Sequence, residues 1–203
     1  MRAPTPAYTV TKRILDVAIC LGLLVVVVPA LALCALAIRL DSPGPAFFAQ
    51  ERTGRDGRRF RMLKLRTMLA NAEEMKAALA HLNVLPPPDF KIPDDPRITR
   101  VGRFLRATSL DELPQLLNVL RGDMSLVGPR PTSFSAARYE LWHTHRLDVM
   151  PGITGLWQIE GRNVTDFDER LRLDVQYIRR RSLRFDLALL ARTVLVVFRR
   201  TGA

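Results

Sequence analysis

One long apolar block stands near the start of the chain, and a mixed pattern follows it. From Val17 to Ile38, "VAICLGLLVVVVPALALCALAI", no residue is charged. As a helix rising 1.5 Å per residue this block would measure roughly 33 Å, enough for a hydrocarbon core of about 30 Å. It is too long for the apolar region of a secretory signal, and no small-residue cleavage site follows it. Downstream, "AFFAQER" and "RRFRMLKLR" are strand-like runs around "TGRDG", which predicts a β-hairpin. Residues Leu69 to Asn83 read as a helix, and "PPPDFKIPDDPR" as a loop. Near the end, Leu183, Leu187, Leu190, Val194 and Val197 recur at spacings of three and four. Arg184, Arg192 and Arg199 fall on another face, which predicts an amphipathic helix. That pattern suits a helix lying at a membrane interface, and also one covering a protein core.

The expected fold is therefore α+β and mostly helical, with a membrane helix, a small β-hairpin and C-terminal amphipathic helices lying at the membrane interface. Two units are expected: 1–40, a tail with the membrane segment, and 41–203, a cytoplasmic domain. Pro29 interrupts the apolar block, where it removes one backbone hydrogen bond and kinks a helix. Both flanks are basic: Lys12 and Arg13 before, Arg39, Arg52, Arg55, Arg58 and Arg59 after. The preference of positive charge for the cytoplasmic side is met on both flanks by a re-entrant hairpin bent at Pro29. A single straight span is the plainer reading, and the residues alone leave both open.

Charge narrows the partners. The 31 Lys and Arg outnumber 20 Asp and Glu, for a net charge of +11. That excess points to an anionic surface or a phosphorylated ligand. Most of it is arginine, whose planar fork grips phosphate in a way lysine cannot. Cys20 and Cys34 form no CxxC motif and no disulfide framework, and the three histidines have no metal-ligand spacing. No Gly-rich phosphate loop and no nucleic-acid motif is present, so a nucleic-acid partner is not expected.

The stretch "LDELPQLLNVLRGDMSLVGPRP" holds the candidate chemistry. Asp111 and Glu112 are adjacent at the start of an apolar helical pattern. They can be read as an ordinary helix start: Ser109 with Glu112 has capping-box spacing, acids suit the first turn, and Gly122 gives a stop. They can also be read as a reactive centre, because cations surround them in sequence. Lys64 and Arg66 end a strand, Arg106 precedes the pair, Arg130 sits between two prolines, and Arg162 lies in the Gly-containing "PGITGLWQIEGRN". Carboxylates held among arginines can bind a divalent cation or attack phosphorus. A nucleotide diphosphate with Mg²⁺ would be a natural guest.

Taken together, "KRILD", "DSPGPAFFAQERTG", "FRMLKLRTM", "DPRITRVGRFLRATSLDELPQLLNVLRGDMSLVGPRP" and "PGITGLWQIEGRN" resemble the bacterial sugar transferases, the monotopic phosphoglycosyl transferases. The resemblance runs over nearly the whole chain and matches the family's small members, a catalytic domain with its membrane anchor. It implies transfer of a sugar-1-phosphate from a UDP-sugar to a polyprenyl phosphate, with release of UMP, at the cytoplasmic face of the bacterial inner membrane. By that match Asp111 is the nucleophile that forms an aspartyl phosphosugar. Asp111 and Glu112 are the Mg²⁺ ligands, and Lys64, Arg66, Arg106, Arg130 and Arg162 contact phosphate or nucleotide. The family's hairpin breaks at a proline matching Pro29; a homodimer is compatible. Val28 stands where the family often has Ser, and Met150 where it often has a basic residue. Two other functions stand beside it: a membrane-anchored, metal-dependent diphosphate hydrolase using the same carboxylates and arginines, against which only the resemblance speaks, and a basic adaptor binding nucleic acid or anionic lipid, against which the spread of the arginines over several loops also speaks.

Overall fold

The computed structural model describes residues 5–85, 90–161 and 166–198. It is mostly helical, with two small two-stranded sheets among the described residues. Helix α1 spans Pro6–Asp41. Thr5 caps it by accepting from the Tyr8 amide at 3.3 Å, and Pro6 suits a first turn. Within it, Val25, Val26 and Leu33 are 76, 72 and 71% exposed. A helix this long with its apolar side chains turned outward has the surface of a membrane helix. The described helix continues without interruption through Pro29, where a hairpin break was expected. Proline removes one N–H and its ring crowds the Val25 carbonyl, which bends a helix without having to end it.

The two ends of α1 are fastened to the rest of the chain, and the "KRILD" residues do much of the fastening. Lys12 Nζ and the Tyr8 hydroxyl donate to Asp186 at 3.0 and 2.9 Å. Asp16 accepts from Ser125 Oγ at 2.7 Å and from the Leu126 amide at 3.3 Å. At the other end, Asp41 accepts from the Val101 amide at 3.0 Å.

The predicted hairpin forms: β1, Phe47–Thr53, pairs antiparallel with β2, Arg59–Leu65. The expected helix over 69–83 is largely absent. Only α2, Met75–Ala78, and a 3-10 turn at Ala80–Leu82 form there. Arg97 Nη1 takes the Ala72 carbonyl, and the Lys76 amide that a helix would send there donates to the Glu73 carbonyl instead.

Helix α3, Arg100–Ala107, follows, then a 3-10 turn at Leu110–Glu112 and helix α4, Gln115–Arg121. Gly102 lets α3 lie against Thr67; a Cβ there would sit 2.0 Å from the Thr67 carbonyl oxygen. Gly122, at φ 90°, stops α4 as expected. Arg13 donates to the Val119 and Leu120 carbonyls at 2.5 and 2.9 Å, which satisfies the open end of α4. Asn118, fully buried, accepts from the Leu63 amide and donates to the Arg61 carbonyl, which locks α4 against β2.

Strands β3, Ser125–Val127, and β4, Gly152–Thr154, pair in parallel. A Cβ on Gly152 would lie 2.1 Å from the Gly128 nitrogen, so this crossing admits only glycine. Helices α5, Leu156–Glu160, α6, Phe167–Arg180, and α7, Leu183–Phe198, complete the described fold. Leu105, Leu116, Val119, Leu156, Tyr177 and Leu189 pack in one core. The predicted apolar stripe is divided on α7, with Leu190 packed against the core. Asp186 and Leu189 are buried, while Leu187, Val194 and Leu195 are about half exposed. The Val197 side chain and Arg199 lie outside the described residues.

Candidate active site

The site is built where β2, the 3-10 turn at Leu110–Glu112 and the segment after β3 meet. Antiparallel register puts Phe48, Gln50 and Arg52 on the same hairpin face as Phe60, Met62 and Lys64. That face presents Lys64 to Glu112. Glu112 Oε1 accepts from Lys64 Nζ at 2.9 Å and from Arg130 Nη2; its Oε2 accepts from Arg130 Nη1 at 3.2 Å. Arg130 thus meets the carboxylate with both prongs of its fork, the strongest form of such a pair. Burial alone would raise the Glu112 carboxyl, but Arg130 and Lys64 outweigh it and hold it well below the usual range. Glu112 raises Arg130 in turn. Lys64 is drawn below its ordinary value by burial, with Glu112 opposing.

Asp111 is different. It is 8% exposed and has no hydrogen-bonding partner among the described residues. Burial raises its carboxyl, and the Glu112 charge adds to this, while Lys64, Arg106 and Arg130 oppose. Ser109, two residues before Asp111, has φ 58°, a left-handed backbone that costs a non-glycine residue energy. The capping box expected from Ser109 and Glu112 is not formed, because the Ser109 side chain caps nothing and Glu112 turns to Arg130 and Lys64. One acid of the pair is clamped and its neighbour is left open.

Arg106, on α3, donates through Nε to Thr67 Oγ1 at 2.9 Å, and its charge acts on Asp111. Lys64, Arg106 and Arg130 are therefore brought to the pair. Arg66 is not among them. Its guanidinium donates to the Pro43 and Ser42 carbonyls at 2.6 and 2.8 Å, and so holds the loop after α1. Arg162 lies outside the described residues.

Arg52 was missed. Its Nη1 donates to the Pro131 carbonyl at 3.4 Å, and burial together with the charge of Arg130 pushes it down to about 10. The hairpin register could have revealed it, since Arg52 shares the Lys64 face.

The family model for the bacterial sugar transferases matches residues 7–200. The chain belongs to the bacterial sugar transferase family. It is 48% identical to the galactosyl transferase CpsE of Streptococcus agalactiae over 97% of its own length and 44% of that protein's. It is 44% identical to the undecaprenyl-phosphate galactose phosphotransferase of Salmonella typhimurium, covering 95% of this chain and 41% of the relative. It is 45% identical to the UDP-glucose:undecaprenyl-phosphate glucose-1-phosphate transferase of Caulobacter vibrioides, covering 94% of this chain and 71% of the relative. The chain thus spans less than half the length of the first two. In this bacterial sugar transferase the acidic pair, Lys64, Arg106 and Arg130 all fall inside the matched region.

The donor set bears on Mg²⁺. Among the described residues no three His, Cys, Asp or Glu side chains lie together. The pair offers the open Asp111 carboxylate and the less occupied Glu112 Oε2, which receives one N–H. Mg²⁺ is ordinarily held by one or two carboxylates plus substrate phosphates and water. The residues present fit that mode, with a diphosphate supplying the remaining oxygens.

Proposed function

We propose that this chain carries the activity of a phosphoglycosyl transferase, moving a sugar-1-phosphate from a UDP-sugar to a polyprenyl phosphate in polysaccharide assembly. The observation that carries the reading is the division of labour in the pair. Glu112 is neutralised by a lysine and a two-pronged arginine. Asp111 stands buried, without a hydrogen-bonding partner among the described residues, in the field of the same cations and Arg106. A desolvated carboxylate with a raised pKa is a better nucleophile than one in water, and the cations draw a diphosphate to it.

In this mechanism an Asp111 oxygen attacks the phosphorus bearing the sugar. The bond from that phosphorus to the bridging oxygen breaks, and UMP leaves. A polyprenyl phosphate oxygen then attacks the same phosphorus. The Asp111–phosphorus bond breaks, the carboxylate returns, and the product is a sugar joined to the lipid by a diphosphate. Arg130, Lys64 and Arg106 balance the phosphate charge throughout. Bound Mg²⁺, held by Asp111 and Glu112, would offset charge on the diphosphate. Splitting the transfer in two means the soluble donor and the lipid need not share the site.

The same reading places the chain on the cytoplasmic leaflet of the inner membrane, with α1 bent into a re-entrant hairpin. A straight helix would part Arg13 and Asp41 by about 42 Å. Both ends are tied to one region: Asn118, beside an acceptor of Arg13, bonds Leu63, and Arg66 bonds Ser42, beside Asp41. Leu63 and Arg66, the residue after β2, are about 10 Å apart along the extended chain. A tether this short favours a bend in the exposed apolar stretch, where Pro29 stands. The exposed Leu187, Val194 and Leu195 of α7 suit an interfacial position.

UMP release from a panel of UDP-sugars, with Mg²⁺ and with or without undecaprenyl phosphate, tests the activity. Sustained release that requires the lipid is expected. Steady release without lipid would replace the transferase with the hydrolase.

A further inference from the structure

Arg130 carries the fork that clamps Glu112, yet little of its own sequence fixes where it stands. Pro129 and Pro131 stiffen the backbone on both sides, but a stiff segment still needs an anchor. The Gly152 and Thr53 amides hold the Pro129 and Thr132 carbonyls at 2.9 Å each, and Arg52 Nη1 the Pro131 carbonyl at 3.4 Å, which leaves the carbonyl of Arg130 itself to a side chain distant in sequence. Arg146, in the 3-10 segment Leu141–Asp148, donates through Nη2 to the Arg130 carbonyl at 2.5 Å. The same Nη2 lies 2.8 Å from Asp174 Oδ2, on α6. The side chains of Arg146 and Asp174 are 5 and 2% exposed. Next door, the Tyr139 hydroxyl meets Thr132 Oγ1 at 2.5 Å, and Arg146 Nη1 donates to Tyr139 at 3.4 Å. Both sides of Pro131 are thus held.

We infer that the buried Arg146–Asp174 pair positions Arg130, fixing through its carbonyl where its guanidinium meets Glu112 and the donor diphosphate. This deepens the transferase reading and rests on it only for its catalytic part. An ion pair this deep is a weak source of stability, since desolvation offsets much of its attraction. Its position explains it better: a planar guanidinium can face a carboxylate and a carbonyl together, whereas a lysine ammonium is a point charge. Burial also pushes the Asp174 carboxyl up to about 6, with Arg146 opposing, so the charge is kept there against a cost. Neither residue touches Asp111 or Glu112 in this structure, so both are positioning residues.

The test has two readouts on the full chain in nanodiscs. The first is a melting cycle of wild type, Arg146→Lys, Glu112→Gln and the double variant. The two sites are not in contact, so unconnected roles would give additive losses in Tm. The inference expects the double variant to lose less than the sum, because a displaced Arg130 has already left Glu112; additive losses would overturn it. The second is UMP release per active site. Arg146→Lys should lower kcat by about 10- to 100-fold with KM for the UDP-sugar little changed, as expected for a misplaced transition-state contact. Leu171→Ala, a core truncation on the same helix α6, is the control for lost stability. An equal kcat loss there, or none in Arg146→Lys, would overturn the inference. If wild type turns over no UDP-sugar, the transferase reading falls, and the melting cycle still decides whether the pair positions Arg130.

Discussion

Glu112→Gln removes one charge from the site and keeps its shape. Glu112 takes three N–H donations, one from Lys64 and two from Arg130. The three side chains are 19, 16 and 30% exposed, so the cluster is largely shielded from water. Breaking a buried ion pair costs about 3–5 kcal/mol and an exposed one about 0–1 kcal/mol. These exposures place the cluster nearer the buried limit, at about 2–4 kcal/mol. The amide makes matters worse, because its NH₂ would face another N–H donor. For a domain of this size each kcal/mol moves Tm by about 2–4 °C, so the variant should melt roughly 4–16 °C lower. Thermal melts in detergent, followed by the fluorescence of Trp142 and Trp157, measure this. Adding Lys64→Met should recover part of the loss, since one stranded cation is then gone. A Glu112→Gln protein melting within about 1 °C of wild type would falsify the clamp.

Three further outcomes follow from the same structure. Gly152→Ala should destabilise by about 3 kcal/mol or more, because its Cβ would lie 2.1 Å from backbone that cannot yield; a normal melt would contradict the close crossing of β3 and β4. Asp174, raised to about 6 by burial, should cost the fold stability while it is ionised. That cost is nearly complete above about pH 6 and falls away as pH drops through 6 toward 4, so wild type should gain about 2 kcal/mol relative to Asp174→Asn between pH 7 and pH 4. A pH-independent difference in Tm between the two proteins would refute it. Finally, EDTA should stop UMP release and added Mg²⁺ restore it; turnover indifferent to chelation would remove the metal role of the acidic pair.

What the sequence revealed depended on range. The β-hairpin was legible because alternation and a Gly-containing turn are local signals, and the structure pairs Phe47–Thr53 with Arg59–Leu65. The site was legible only as scattered cations around an acidic pair. Local chemistry left the pair between a helix start and a reactive centre and did not tell Asp111 from Glu112, whereas among the described residues the fold clamps one and leaves the other without a hydrogen bond. That difference arises from Lys64 and Arg130, which the fold brings in from two other segments. Arg66 looked equivalent to Lys64, but it faces the carbonyls after α1. The α7 stripe was legible as an apolar face, but not as to what that face meets. Periodicity finds apolar faces, and beside a membrane an apolar face need not point to the protein core, so Leu187 is exposed and Asp186 buried. Asn118, Arg146 and Asp174 had no sequence signal, because a polar residue reveals its role only through distant partners.

The central claim is that Asp111 takes the phosphosugar, and intact-protein mass spectrometry tests it most directly. The protein is incubated with Mg²⁺ and the UDP-sugar it uses, without lipid acceptor. Wild type should release UMP in a stoichiometric burst and gain the mass of one sugar phosphate, mapped to Asp111. Polyprenyl phosphate should then discharge the adduct, and Asp111→Asn should show neither burst nor mass gain while melting no lower than wild type. UMP release that occurs only with lipid present, from a protein whose mass never changes, would contradict the account.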